Sequence, residues 1–299
     1  MIHKSVDQAQ KSSSCSQQSC PSQQKAQNDA ASQQREMEAM IKSNLGKIKH
    51  KIFVLSGKGG VGKSSVSANL AATLAKKGYK TGLMDVDVHG PSIAQMFDMK
   101  ELLDIDPDSK LLLPQQINEN LKVVTVQALM QDKDQAIIWR GPAKTGMIKQ
   151  FVGSVLWGNL DFLVIDAPPG TGDEPLTVVQ TIPDAKGIIV TTPQEVALAD
   201  IRKSISFCKT VKMETLGILE NMAGFTCPHC NQHIDLFKSG GGEKTANAQG
   251  LNFLGSIPFD TRVVESGDDG VPIMMYEADG PFKQAFTKVV DNILKQLEG

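Results

Sequence analysis

From Lys51 onward, short apolar runs alternate with longer stretches in which apolar residues recur at helical spacing. "KIFVLS" at 51–56 reads as a strand, followed by a glycine-rich turn and a helix over roughly 63–77. "TGLMDVD" (81–87), "LKVVTV" (121–126), "DFLVID" (161–166), "GIIVTT" (187–192), "TLGILEN" (215–221) and "NFLGSIP" (252–258) read as further strands. These runs are apolar on both faces and bounded by Gly or Pro, the pattern of buried parallel strands. Helical periodicity fills most of the gaps, including 195–212 and 279–298. The alternation predicts an α/β fold with a doubly wound, mostly parallel sheet.

The beginning of the chain follows a different rule. Seventeen of the first 36 residues are Ser or Gln, and apolar positions are sparse. Such a segment buries too little apolar surface to offset its ordering entropy. Residues 1 to about 36, with Cys15 and Cys20, are therefore expected to be disordered. "EMEAMIKSNLGKI" at 36–48 reads as a short amphipathic lead-in, and the folded domain is expected over 49–299.

Composition narrows the classes. The 299 residues carry a formal net charge of −2, with 40% hydrophobic and 21% charged residues, as in a soluble globular protein. That charge argues against a nucleic-acid partner, which would call for a basic surface. No run of apolar residues is long enough to span a membrane, and the polar N-terminus lacks a secretory signal. The last stretch, "PFKQAFTKVVDNILKQLEG", is amphipathic but only mildly basic, and reads as a core-packing helix rather than a membrane anchor. A cytoplasmic location is expected, where paired cysteines serve as metal ligands or redox groups more than as disulfides.

The chemistry begins at "GKGGVGKSS", Gly57 to Ser65. It fits G-x-x-x-x-G-K-[ST] between a predicted strand and a predicted helix, the context in which that motif cradles phosphates. Gly57, Gly59, Gly60 and Gly62, with Val61 among them, let backbone N–H groups turn onto phosphate oxygens, and the helix N-terminus adds partial positive charge. Lys63 is expected at the β- and γ-phosphates, the Ser64 hydroxyl at Mg²⁺, and Ser65 completes the loop. Lys58 is a second lysine in the loop. It reads either as a solvated surface group or as an extra cation for charge that develops during phosphoryl transfer.

Two acidic segments complete the pattern. "DVDVHGPS" at 85–92 ends a strand with Asp85 and Asp87. In an open parallel sheet ligands sit beyond the C-terminal strand ends, so both carboxylates are expected near the phosphates, one of them positioning the attacking water. "VIDAPPGTGD" at 164–173 ends another strand with Asp166, expected to face Mg²⁺ directly or through water. Gly170 and Gly172 make the following loop a candidate sensor of the γ-phosphate.

"FTCPHCNQH" at 225–233 sets Cys227 and Cys230 three positions apart. C-x-x-C lets two thiolates converge on one metal or cluster edge, and iron–sulfur centres commonly use four. One chain offers two here, so a two-fold dimer would complete the set. Zinc, held by four thiolates across a dimer or with His229 or His233, is the rival; a redox pair is a third option. Cys208, in a helical stretch, reads as a core residue. "SGGGEKTANAQG" at 239–250 reads as a loop entering a helix and need not bind phosphate; Pro258 and Arg262 could approach a nucleotide base.

Together these residues carry a resemblance. "KGGVGKS", "DVDVHGPS" and "DAPPGTGD" resemble the P-loop class with a deviant Walker A motif, which includes MinD, ParA, ArsA and nitrogenase iron protein. "ENMAGFTCPHC" and "GGGEKTA" narrow it to the Mrp/ApbC-type iron–sulfur cluster carriers, over about residues 48–299. The resemblance implies ATP and Mg²⁺ as cofactors, a slow ATPase, and a homodimer in which Lys58 of one subunit reaches the nucleotide of the other. It implies that Asp87 helps orient the hydrolytic water and that Asn221 contacts adenine. It further implies that Cys227 and Cys230 of two subunits hold one [4Fe–4S] cluster, to be passed to apo iron–sulfur proteins in concert with cluster assembly proteins. Many bacterial members carry a small folded domain before the ATPase, and eukaryotic cytosolic members carry four N-terminal cysteines. This chain has a Ser/Gln-rich tail with Cys15 and Cys20. The competing expectation is a MinD- or ParA-like dimerisation switch in which zinc staples the dimer.

Overall fold

The computed structural model describes residues 21–87, 92–99, 102–129, 141–227, 230, 232–235 and 239–298. Its centre is β1 (Ile48–Leu55), in parallel pairing with β5 (Leu160–Asp166) on one edge and β6 (Lys186–Thr191) on the other. β2 (Thr81–Asp85) lies between β5 and β4 (Leu121–Thr125), again parallel. Beyond β6 comes β7 (Thr215–Thr226), which β9 (Phe253–Phe259) joins in parallel. Two short antiparallel additions, β3 (Gln115–Asn118) on β4 and β8 (His233–Ile234) on β7, are not among the strands the sequence predicts. Neither has an apolar run: β3 is "QQIN", and β8 is two residues long.

Alternation along each strand feeds two cores. On β1, Ile52 and Val54 point to one face while Phe53 and Leu55 point to the other, the period-2 rule of a strand. One face is covered by α2 (Lys63–Lys76), α3 (Ile93–Met96) and α9 (Pro281–Glu298), whose Phe282, Phe286, Val289, Val290 and Ile293 are buried. The other is covered by α4 (Gly141–Gly153), α5 (Asp173–Thr181) and α6 (Glu195–Thr210). The apolar face of α9 is thus spent on the core, as expected, and among the described residues no helix is long and apolar enough to cross a membrane. α7 (Gly241–Gln249) and α8 (Thr261–Asp268) flank β9 in sequence.

One expectation is corrected at the N-terminus. A helix, α1, runs Pro21–Leu45, beginning well inside the stretch expected to be disordered. Gln, Ala, Lys, Glu and Arg dominate it, and all are good helix formers even where apolar residues are few. Its last turns are tied to α4: Ile41 is buried, and the Asn44 side-chain amide donates to the carbonyls of Val152, Gly153 and Val155 at 2.9–3.0 Å. Residues 1–20, with Cys15 and Cys20, lie outside the described residues.

Candidate functional site

The strand order brings the carboxyl ends of β2, β5 and β1 side by side, with Asp85 directly opposite Asp166 and Val54 opposite Asp166 in register. The turn from β1 into α2 is built on its glycines, though not on all of them for the same reason. Gly60 and Gly62 have φ of +77° and +80°, a region that favours glycine. A Cβ on Gly57 would lie 2.4 Å from the carbonyl oxygen of Asp200, and one on Gly62 would lie 2.3 Å from Nδ2 of Asn221. Gly59 meets neither constraint: a Cβ there would touch only Pro169 Cγ, at 3.9 Å. The fold itself does not require glycine at that position, so what Gly59 supplies is open space at the mouth of the loop. The turn borders a cavity of about 300 Å³ lined by residues 58–65, Asp87 and Pro169.

Charge in this cavity is arranged around Lys63, which is buried at 6% exposure. Its Nζ donates to Asp166 Oδ1 at 2.7 Å and stands 3.8 Å from Asp87 Oδ2 and 3.4 Å from Ser64 Oγ. Ser67, one helical turn after Lys63, donates its hydroxyl to the same Asp166 oxygen at 2.8 Å. The other oxygen, Asp166 Oδ2, is buried and has no hydrogen-bond partner among the described residues. A carboxylate oxygen left bare and a serine hydroxyl, Asp166 and Ser64, both grouped around Lys63, are donors of the kind a hard divalent cation such as Mg²⁺ takes.

Asp85 and Asp87 part company, against the expectation that both lie near the phosphates. Asp87 lines the cavity, whereas Asp85 is fully buried beneath it. Its Oδ1 accepts from the backbone N–H of Asp87 at 3.0 Å and its Oδ2 from the Thr125 hydroxyl at 2.9 Å. Burial, and then the neighbouring Asp166 charge, push its pKa up to about 8. Asp85 therefore shapes the turn that carries Asp87. Val88 to Pro91 of the same segment lie outside the described residues.

Lys58 lines the rim of the cavity, and its ammonium meets Gln194 Oε1 at 3.4 Å. The loop after Asp166 is anchored rather than loose at Gly170, whose N–H donates to the Ser56 carbonyl at 2.8 Å.

A second cavity, of about 330 Å³, opens from the first and shares Gly62, Ser65, Ser92 and Met96 with it. Its walls are mostly apolar, with Met222, Pro258, Phe259 and Val263, and Asn221 supplies a polar edge. The Asn221 side-chain amide donates to the Val61 carbonyl at 2.9 Å, which ties β7 to the phosphate loop. A slot with mostly apolar walls, edged by the Asn221 and Gln95 amides and lying beside a phosphate-type turn, suits a nucleoside. Pro258 lines it as expected. Arg262 does not: it folds onto Asp260, with Nε to Oδ1 at 2.9 Å and Nη2 to Oδ2 at 2.6 Å. Asp260 also caps α8, accepting from the N–H of Arg262, so the arginine is held by its own helix start.

Arg262 instead lines a groove of about 320 Å³ beside Cys227, with Phe225 and Pro281. Cys227 follows the end of β7 and its N–H donates to the Gln232 carbonyl at 3.0 Å, closing the turn toward β8. Cys227 is half-buried and Cys230 exposed. Among the described residues, no group of three or more His, Cys, Asp or Glu side chains could hold a metal ion. His229 lies outside the described residues, and the His233 side chain is likewise not described. Two thiols from one chain make half of a four-thiolate set. Cys208 is buried in the second core, and burial pushes its thiol up to about 11, in keeping with a packing role.

The second glycine-rich turn has a different occupant. Glu220, fully buried at the end of the regular part of β7, accepts from the N–H groups of Gly240 (3.1 Å) and Gly242 (2.6 Å) and from the Ser256 hydroxyl (3.2 Å). A carboxylate of the protein itself fills the start of α7. Sequence reasoning missed Glu220, Ser67, Gln194 and Met222. An acid inside the apolar run "LGILEN" and a serine four residues after Lys63 on one helix face were the available signals.

Comparison with known proteins agrees with this geometry. Residues 47–294 match the ParA family of NUBPL iron-transfer P-loop NTPases. The iron–sulfur cluster carrier protein of Methanocaldococcus jannaschii is 45% identical over 265 residues, covering 88% of this chain and 90% of that one. The cytosolic Fe–S cluster assembly factor CFD1 of Kluyveromyces lactis is 45% identical over 264 residues, covering 84% and 92%. Among solved structures, a nucleotide-binding protein from Archaeoglobus fulgidus in complex with ADP superposes with a TM-score of 0.71 at 38% identity, covering 83% of this chain and 96% of that one. MinD from Pyrococcus horikoshii, complexed with Mg-ADP, shares the fold at a TM-score of 0.61 and 21% identity, covering 84% and 98%. The resemblance read from the motifs therefore holds over residues 47–294, and the chain belongs to the NUBPL iron-transfer family of ParA-type P-loop NTPases.

Proposed function

We propose that this protein is an ATP-dependent iron–sulfur cluster carrier. It binds ATP with Mg²⁺, hydrolyses it slowly, and as a homodimer holds a [4Fe–4S] cluster on Cys227 and Cys230 of both copies. The cluster is cargo, received from assembly proteins and passed to apo iron–sulfur proteins in the cytoplasm. The observation that carries the reading is a single strand, β7. Its Asn221 walls the nucleoside cavity and binds the phosphate loop, and its end leads directly into Cys227. The names and the extent of similarity of the cluster carriers support the cargo, and the ADP-bound neighbour supports the nucleotide.

The roles follow from the geometry. Gly57, Gly59, Gly60 and Gly62 with Val61 wrap the phosphates, and Ser64 and Ser65 meet them at the start of α2. Lys63 exchanges Asp166 for the β- and γ-phosphates, which frees Asp166 for Mg²⁺ together with Ser64. Bound there, Mg²⁺ would supply charge neutralisation for the phosphates. Asp87, set by the Asp85 turn and 3.8 Å from Lys63, orients the attacking water. Lys58, at the cavity rim, reaches the nucleotide of the partner copy and leaves Gln194 to do so. No nucleic acid or membrane enters the scheme.

Anaerobic reconstitution with iron and sulfide tests it, with iron, sulfide and zinc counted per dimer. About four irons and four sulfides, lost when Cys227 and Cys230 are both replaced by Ala, is the expected result. Zinc that iron does not displace, or a cluster retained in the double variant, would sink the cluster assignment.

A further inference from the structure

The middle of β7 is not a regular strand. Between the pairs Asn221–Ile257 and Phe225–Phe259, β7 advances by four residues while β9 advances by two, so β7 bulges there. Met222 has φ +58° and Gly224 φ +77°. Glycine takes this region freely, but methionine enters it only where the surroundings hold it. Those surroundings are the nucleotide cleft: Met222 lines the nucleoside cavity, and its Cε lies 3.4 Å from where a Cβ on Gly62 would stand. The preceding residue, Asn221, is bonded to the Val61 carbonyl.

Past the bulge, the strand is coupled to the cleft a second time. Phe225 meets Phe259 edge to face, with ring centroids 6.1 Å apart. Pro258, Phe259 and Asp260 form a common wall, with the nucleoside cavity on one side and the groove beside Cys227 on the other. A ligand seated in the cavity would touch Met222 and this wall, and both lead to Cys227 within a few residues.

We propose that the kinked centre of β7 couples nucleotide to cluster: Met222 is the positioning residue through which an occupied cleft sets where Cys227 stands, and the Phe225–Phe259 contact is the second strut. The inference rests on the reading that one chain carries both ligands. A coupling of this kind is reciprocal, so it appears as a difference in nucleotide affinity between the apo and cluster-loaded protein. A ligand shifts the element only by binding its two arrangements unequally.

The experiment is a titration of the full chain with a non-hydrolysable ATP analogue and Mg²⁺, before and after anaerobic cluster reconstitution. Wild-type affinities should differ by about fivefold or more between the two forms. In Phe225→Leu, which leaves the nucleoside cavity lining intact, the ratio should fall to within about twofold, and Phe225→Tyr should restore it. Met222→Gly keeps the backbone turn and removes the side chain, and should also collapse the ratio whatever it does to affinity itself. Loss of packing alone would shift both affinities together and leave the ratio standing. A ratio near one in wild type, or one that survives Phe225→Leu and Met222→Gly, overturns the inference alone. Failure of the wild type to take up either ligand overturns the function proposed above as well.

Discussion

"GKGGVGKSS" and "SGGGEKTA" look alike on the page, and the fold uses both to start a helix through a left-handed glycine, Gly62 at φ +80° and Gly240 at φ +75°. Their surroundings are opposite. The first borders a cavity of about 300 Å³ with a buried lysine, Lys63, inside it. The second closes around Glu220, whose two carboxylate oxygens take the N–H groups of Gly240 and Gly242. A helix N-terminus favours negative charge in either case. Where the chain supplies its own carboxylate the turn is structural; where it supplies a cation and leaves space, the anion comes from outside. The difference is made by the charged partner of each turn, Lys63 or Glu220, not by the glycines.

Breaking each turn at its charged partner should separate the two roles most sharply. Lys63→Ala removes the cation from the open turn, and ATP turnover, followed by phosphate release, should fall about 100-fold to 1,000-fold. Turnover at the wild-type rate would show that Lys63 does not meet the phosphates. Glu220→Ala leaves two backbone N–H groups and the Ser256 hydroxyl without their acceptor inside the protein. That should cost about 3 kcal/mol in urea unfolding, with the affinity of the folded fraction for ATP little changed. An unaltered midpoint would mean that the carboxylate does not hold the α7 turn.

Alanine at the glycines themselves sharpens the contrast. At Gly62 a Cβ meets both an unfavourable φ and the Asn221 amide 2.3 Å away, whereas at Gly240 nothing lies within 4 Å. Gly240→Ala should cost only the left-handed penalty, about 1–2 kcal/mol of stability. Gly62→Ala should cost more than that and weaken ATP binding as well, because Asn221 must give way. Equal stability losses with ATP binding intact would show that the Asn221 contact does not constrain the phosphate loop.

Much of this was legible in the residues. The strands were, because a run apolar on both faces has few other uses, and the largest shift of a start came where polar residues alternate outward, at Lys49 before the buried stretch of β1. Lys63, Asp87 and Asp166 were legible because the motif fixes residue type and spacing together. The bulge in β7 was not: a left-handed methionine leaves no periodic trace, so the strand appeared to stop at Asn221 when it continues to Thr226. Asp85 and Asp87 were indistinguishable by type. They differ because β2 ends at Asp85, after which the Val86 N–H donates to the Asp166 carbonyl and Asp87 turns into the cleft. Glu220 was hidden because its partners come from a turn twenty residues later in the chain, as its bond to Gly240 records.

The buried acid of the open turn gives an effect that grows with pH, and its sign is specific. Asp85 has its pKa raised from 3.8 to about 8, by burial first and by Asp166 second. Between those values the folded protein holds a proton that the unfolded chain has released, so stability falls as the pH rises. The contribution is fully present below about 3.8 and lost as the pH passes through about 8. A single such proton changes stability by at most about 1.4 kcal/mol per pH unit. Asp161, held low first by its bond to Lys49, acts below the carboxylate range and leaves this window alone. His50, held low by burial and by Lys186, Lys49 and Lys51, contributes a slope of the opposite sign below its ordinary 6.5. The test is therefore a comparison of variants in the absence of nucleotide. Asn at position 85 keeps an oxygen for the Asp87 N–H, and the Thr125 hydroxyl can reverse its role and accept. Asp85→Asn should match the wild type near pH 5 and exceed it near pH 8, by urea midpoint at constant salt. If both proteins lose stability in parallel over that range, Asp85 is not the group that holds the proton.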